Sequence, residues 1–227
     1  MRAAIGAETA SLASWLPRRH DEDTVPDGGR LPVLPALRGL LPGGLRRGTV
    51  VAVGHWGLLC LAVAAGASAA GAWCAAVGLP QFGVAAAADA GLDPDRLLLI
   101  PDPGTGWPQV VASLLDGCEL VLLRPPGQPS AQMRTRLAAT LRRRGGVLVV
   151  AGGWDDAQAR LLVVRQEWAG IGAGHGRLRA RRVQVAVDGR GAAARLRTRW
   201  LWLPGADGSV GTVDQIPVSG QGMRDTG

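Results

Sequence analysis

Between Arg47 and Asp89 the chain carries no Asp, Glu, Arg or Lys. A polypeptide without charge over such a length has to bury most of it. The stretch Thr49–Gly71, TVVAVGHWGLLCLAVAAGASAAG, divides into three parts. Continuous Val and Ala over Thr49–Val53 suit a strand covered on both faces. Gly54-His55-Trp56-Gly57 then makes a glycine-bounded turn, and Leu58–Ala70 continues as an uncharged helix. Leu58–Leu79 is long enough to span a bilayer, which needs about 20 apolar residues. It is broken by Gly66, Gly71 and Gly78 and built on Ala more than on Leu, Ile and Phe, so a buried helix followed by a central strand is expected rather than a membrane span. No Arg-flanked apolar stretch with a small-residue cleavage site opens the sequence, and secretion is not expected.

At 227 residues the chain fits one α/β domain with a sizeable core. The expected organisation is a flexible tail over residues 1–30, a folded domain over 31–205 and a disordered tail over 206–227. The first tail holds the acidic run Asp21-Glu22-Asp23, the breakers Pro26-Asp27-Gly28-Gly29 and at most one loose helix around Leu12–Leu16. The last is rich in Gly and short polar residues.

Within the domain, apolar runs alternate with helical patterns, the signature of a mostly parallel sheet flanked by helices. Strands are expected at Thr49–Val53, Trp73–Val77, Leu97–Ile100, Cys118–Leu123 and Val147–Ala151, and helices at Leu58–Ala70, Phe82–Ala90, Pro108–Asp116 and Ala131–Arg144. The last third changes to period two. Arg182–Val187 and Arg195–Trp200, separated by Asp188-Gly189-Arg190-Gly191, join Leu161–Arg165 in an antiparallel extension of the sheet. Alternation sets Arg195, Arg197 and Arg199 side by side on one face of the final strand, which is expected to meet solvent or an anionic partner.

Every one of the 25 basic residues is Arg. Residues Arg165–Arg199 hold nine of them against Glu167 and Asp188, a surplus equal to the +7 of the whole chain, and Arg134–Arg144 holds five with no acid. Such clusters attract phosphate backbones or form solvated faces, and charge patterning leaves both readings open. Cys60, Cys74 and Cys118 are odd in number and set in apolar runs, which points to buried reduced thiols in a cytoplasmic protein. His20, His55 and His175 have no metal-ligand spacing, and no Ser or Cys sits in a nucleophile motif. Asp155-Asp156, after Gly152-Gly153-Trp154, reads as an exposed turn or helix start, and Arg142–Arg144 before Gly145-Gly146 read as cations at a helix end.

The lead-in Leu34–Val53, with its Gly43-Gly44 and Gly48 before the strand, resembles the ATPase core of RecA recombinases, and the similarity runs over roughly Leu31–Pro204. It implies a RecA-like P-loop fold with the antiparallel extension at its C-terminal side. A working phosphate loop reads GxxxxGK[ST]: its amides cradle the phosphates, its Lys neutralises them and its hydroxyl holds Mg²⁺. Here Gly57 is followed by Leu58-Leu59-Cys60, so the ammonium and the hydroxyl are both missing. The family's acidic residue after its second core strand is replaced by Gln81, and Arg124-Pro125-Pro126 stands where an Asp would help hold the metal. These losses remove charge neutralisation, water activation and metal binding together, which implies a pseudo-ATPase without cofactor or metal.

Gly54, Gly57 and Leu58 remain as a degenerate nucleotide site. They either offer helix amides to an anion or make a tight turn, with His55 and Trp56 plugging the space. Gly170–Gly176, beside Trp168 and followed by Arg177, Arg179, Arg181 and Arg182, corresponds in the resemblance to the passage from the second DNA-binding loop into a basic strand. The DNA-binding candidates are therefore Trp168, His175, Arg177, Arg179, Arg181, Arg182, Arg195, Arg197 and Arg199, since Arg and aromatics track a phosphate backbone and stack on bases. The alternative is a flexible hairpin connection with Trp168 in the core. Trp200 and Trp202 form a docking patch if exposed and belong to the core if not.

Within the RecA-like group, the degenerate loop, LPALRGLLPGG and GHGRLRARR are most similar to the actinobacterial ImuA-prime proteins, with the SulA-like branch nearby. That resemblance implies a cytoplasmic, nucleoid-associated, non-catalytic accessory factor of damage-induced translesion synthesis. Its partners would be an ImuB-like polymerase-related adaptor, an error-prone polymerase complex and DNA. The alternatives are a RecA-type ATPase with residual nucleotide binding, completed by a partner residue, and a stand-alone DNA-binding module.

Overall fold

The computed structural model describes residues 29–172, 175–191 and 195–213, with the side chains of 170–179 left out. The helix expected around Leu12–Leu16, His20, and the chain beyond residue 213 lie outside the described residues. Two short strands, β1 (Arg30–Leu31) and β2 (Leu45–Arg46), pair antiparallel around a 3-10 turn at Pro35–Leu37. They lead into β3 (Thr49–Val53), α1 (Leu58–Ala69), β4 (Cys74–Val77), α2 (Val84–Asp89), β5 (Leu97–Ile100) and α3 (Trp107–Leu114). There follow β6 (Leu120–Leu123), α4 (Ala131–Arg144), β7 (Val147–Ala151), β8 (Ala159–Gly172), β9 (His175–Gly189), β10 (Arg197–Trp202) and β11 (Gly211–Thr212).

All strands except β1 and β2 form one sheet, in the order β11-β10-β9-β8-β3-β7-β6-β4-β5. The strands from β8 to β5 run parallel, and β9, β10 and β11 add antiparallel beyond β8. This is the expected mostly parallel sheet with an antiparallel C-terminal part. Val51 and Val53 point to the side covered by α1 and the lead-in, whereas Val50 and Ala52 point to the side covered by α3 and α4. Helix α1 is buried at every position from Leu59 to Ser68, as expected of a helix apolar all round. Its Gly66 admits the lead-in: a Cβ there would lie 2.3 Å from the backbone carbon of Val33. No helix among the described residues is long and apolar enough to cross a membrane. Cys60, Cys74 and Cys118 are buried, and burial pushes the Cys60 and Cys74 thiols up to about 12.

Helix α4 has the bounds its sequence implies. The Ser130 hydroxyl accepts a hydrogen bond from the Met133 amide at 3.2 Å, and Gly145 closes the helix at φ 65° with its N–H donating to Leu141 at 2.8 Å. Two expectations need correction. The ordered chain runs past residue 205, because Gly211–Thr212 pairs with Leu201 and Trp202. The loop placed at Gly170–Gly176 is largely hairpin, with Ile171 opposite Gly176 and Gly172 opposite His175. The hairpin connection named as the alternative is the arrangement present, but Trp168 is half exposed and not a core residue.

Candidate functional site

Strand β3 delivers the chain to the turn at Gly54–Gly57. The Gly54 amide donates to the Leu161 carbonyl at 3.0 Å, which ties the start of the turn to β8. Gly57 then caps α1 with an extended backbone and no side-chain hydrogen bond, and the Cys60 amide donates to its carbonyl at 2.9 Å. The Cys60 thiol reaches back to the His55 carbonyl at 3.5 Å. Neither glycine is left-handed. A Cβ on Gly54 would lie 2.7 Å from the tip of the exposed Leu162 side chain, which would have to move, and 3.9 Å from the Leu161 carbonyl, whereas one on Gly57 would find His55 no closer than 4.0 Å. The turn leaves room for a side chain at Gly57, while at Gly54 it does so only if Leu162 moves.

Trp56 folds inward. It packs on the core and against Phe82, ring centres 5.7 Å apart, while His55 stays exposed at the rim. What remains is a cavity of about 180 Å³ lined by Val53 to Leu59, Val163 and Arg181. Ligand pockets generally run from about 300 Å³ upward, so a nucleoside triphosphate has little room. The chemistry agrees with the volume. The turn presents Leu58 and Leu59 where a phosphate loop has its ammonium and hydroxyl, Gln81 is exposed, and the exit of β6 carries the exposed Arg124. These residues do not fit Mg²⁺ and a triphosphate.

One cation does arrive, from far along the chain. Arg181 donates its Nε to the Leu203 carbonyl at 2.8 Å and lies 5.5 Å from the ring centre of Trp168, which is half exposed. Partial burial holds its guanidinium below the ordinary value. A β-bulge between Val163 and Arg165 makes this pairing possible. It shifts the alternation of β8 by one residue, so that Trp168 stands opposite Arg181 on the side of Val183, Val185 and Val187 instead of on the other face.

The remaining candidates are dispersed. Arg182 occupies the opposite face, ion-paired with Glu167 and 4.7 Å from the ring centre of Trp200. Arg197 and Arg199 do share a face, but the register sets them opposite Val187 and Val185, on the core side of the sheet. There the Arg199 guanidinium stem covers Gly39 of the lead-in. Arg199 is nevertheless exposed and Arg197 half-buried, so these side chains sit on the core side of the sheet at its uncovered margin and Arg199 still reaches solvent, as expected. The face left open by the extension carries Leu162, Val164 and Leu196, all 46% to 66% exposed, with Trp200 half-buried, while Trp202 is buried. Arg195 is exposed ahead of β10. The backbones of His175, Arg177 and Arg179 belong to β9, and their side chains lie outside the described residues. Asp155 and Asp156 form an exposed turn held by Arg134 at 3.0 and 3.6 Å.

The fold has a solved counterpart. A RadB recombinase crystal structure superposes with a TM-score of 0.55 at 13% identity, covering 79% of this chain and 97% of the other. At that identity the likeness establishes a RecA-type fold. "Uncharacterized protein Rv3395c" of Mycobacterium tuberculosis (strain ATCC 25618 / H37Rv) is 39% identical over 127 residues, 54% of this chain. The match spans 62% of that relative's length. Residues 39–156, from the lead-in through the phosphate-loop position to the turn after β7, match the family model of the MT3502 N-terminal domain, and the chain belongs to that family.

Proposed function

We propose that this chain is a non-catalytic accessory protein of damage-induced translesion synthesis, a RecA-type scaffold that works by contact with other proteins and with DNA. The observation carrying this reading is the turn after β3. There the strand and helix of a phosphate site persist, but Trp56 fills the space and no ammonium, hydroxyl or carboxylate stands at the positions that hydrolysis needs. Among binding partners, an ImuB-like polymerase-related adaptor and its error-prone polymerase follow from the sequence resemblance. DNA contact is assigned to Trp168 and Arg181, a half-exposed ring beside a guanidinium, which suits stacking on an unpaired base while the cation meets the backbone.

The test is co-expression of the full chain with an ImuB-like adaptor, followed by affinity capture. Stoichiometric co-purification is expected. Two folded proteins that elute separately would remove the accessory role.

A further inference from the structure

The amino end of β3 holds a second charged feature. Gly29, Arg30, Arg46, Arg47, Gly48, Arg142 and Gly145 line an open cleft of about 400 Å³. Its four cations come from three elements that are distant in sequence. Arg30 and Arg46 are cross-strand partners in the small β1–β2 pair, an arrangement in which like charges repel. Arg47 follows directly and donates Nη1 to the Gly145 carbonyl at 3.1 Å. Arg142 comes from the last turn of α4. The approach depends on Gly48, which has φ +75° and would bring a Cβ to 3.2 Å from the Arg142 Cα.

Ordinary structural roles account for little of this charge. A cation in the last turn of a helix complements its dipole, which covers Arg142; Arg30 donates Nη1 to the Gly44 carbonyl at 3.4 Å and Arg47 to that of Gly145, bonds that fix these two side chains but bring no counter-charge to them or to Arg46. Among the described residues Arg96, Arg134, Arg144, Arg182 and Arg190 are paired with carboxylates; none of the four cleft arginines is, a state they share with dispersed surface arginines such as Arg38 and Arg136, and what sets them apart is that four of them line one cleft. The Nε of Arg47 is buried with no hydrogen-bond partner, a state that costs free energy unless an acceptor arrives.

We infer that this cleft is a binding site for closely spaced phosphate groups. Guanidinium forks match phosphate oxygens two at a time, the volume admits more than one phosphate, and among the described residues no aromatic or aliphatic side chain lines the cleft to hold a base. The shared chemistry is a run of phosphates, supplied either by a nucleic-acid backbone or by a small polyphosphate. It is separate from the Trp168–Arg181 contact: β3 lies between them, about 17 Å long at about 3.4 Å per residue over its five residues.

The experiment is calorimetric titration of the full chain with inorganic tripolyphosphate, for the native protein, Arg46→Ala/Arg142→Ala and Arg181→Ala. Both cleft substitutions are at exposed side chains, and thermal unfolding confirms that each variant remains folded. The native chain is expected to bind with a Kd below 1 mM. The double variant should lose at least tenfold in affinity, and Arg181→Ala should retain it. Displacement of a bound 20-nucleotide single strand by tripolyphosphate would identify a nucleic-acid backbone as the source, and binding without displacement a small polyphosphate. Absence of tripolyphosphate binding, or equal affinity in the native chain and the double variant, overturns the inference. Arg181→Ala separates this outcome from failure of DNA contact at the turn.

Discussion

The two ends of β3 present opposite solutions to the handling of anions. At its carboxyl end, where a RecA-type fold ordinarily holds phosphate, the chain has an apolar turn, an inward-folded Trp56 and a single guanidinium delivered by β9 and partly spent on the Leu203 carbonyl. At its amino end four arginines converge with no carboxylate partner among the described residues. A fold can thus keep its strand-turn-helix geometry after the electrostatics that gave it a purpose have gone. That geometry is maintained by packing: Val51 and Val53 on one face and Val50 and Ala52 on the other are buried whatever the turn binds.

Glycine substitutions provide the sharpest way to break this comparison. Gly48→Ala places a side chain in the left-handed region and against the backbone of α4, and should destabilise the protein by about 2 kcal/mol. Denaturant unfolding measures this, and tripolyphosphate binding should weaken with it as Arg142 is pushed away. A smaller effect concerns the other end. Trp168→Ala should weaken single-stranded DNA binding by about 1–2 kcal/mol, read by fluorescence anisotropy, and leave tripolyphosphate binding unchanged. Smallest is Gly57→Ser. A turn that cradles phosphate needs glycine for close approach, but here the position is an uncapped helix start with open space. A hydroxyl there should stabilise the chain by about 0.5 kcal/mol by accepting an amide hydrogen bond, and a loss of 1 kcal/mol or more would mean that the glycine serves some other contact.

Much of this architecture could be read from residues alone, because burial on both sides leaves a continuous apolar run in β3 and β7, and the edge strand β5 has such a run although Leu99 is exposed. β3, β5 and β7 begin and end where the apolar runs at Thr49–Val53, Leu97–Ile100 and Val147–Ala151 do, and α4 follows its cap residues Ser130 and Gly145. The gap at Leu58 was equally plain, since a missing Lys needs no coordinates. Facing was harder to read. The bulge in β8 reverses which side Trp168 occupies, and alternation groups Arg197 with the exposed Arg199 without showing that their cross-strand partners are the core residues Val187 and Val185. β1 and β2 are two residues each, too short for any period. The amino-end cleft joins Arg47 to Arg142 through the turn at Gly48 and the helix end at Gly145, a convergence with no local signal except the unusual density of Arg.

The central claim is that the turn after β3 no longer holds a nucleotide. Titration of Mg-ATP into the Arg46→Ala/Arg142→Ala variant tests it most directly, because the cleft at the other end is then disarmed. The account predicts no saturable binding up to millimolar nucleotide. A micromolar Kd that disappears when Gly57→Asp is added, in a variant that still unfolds cooperatively, would contradict it.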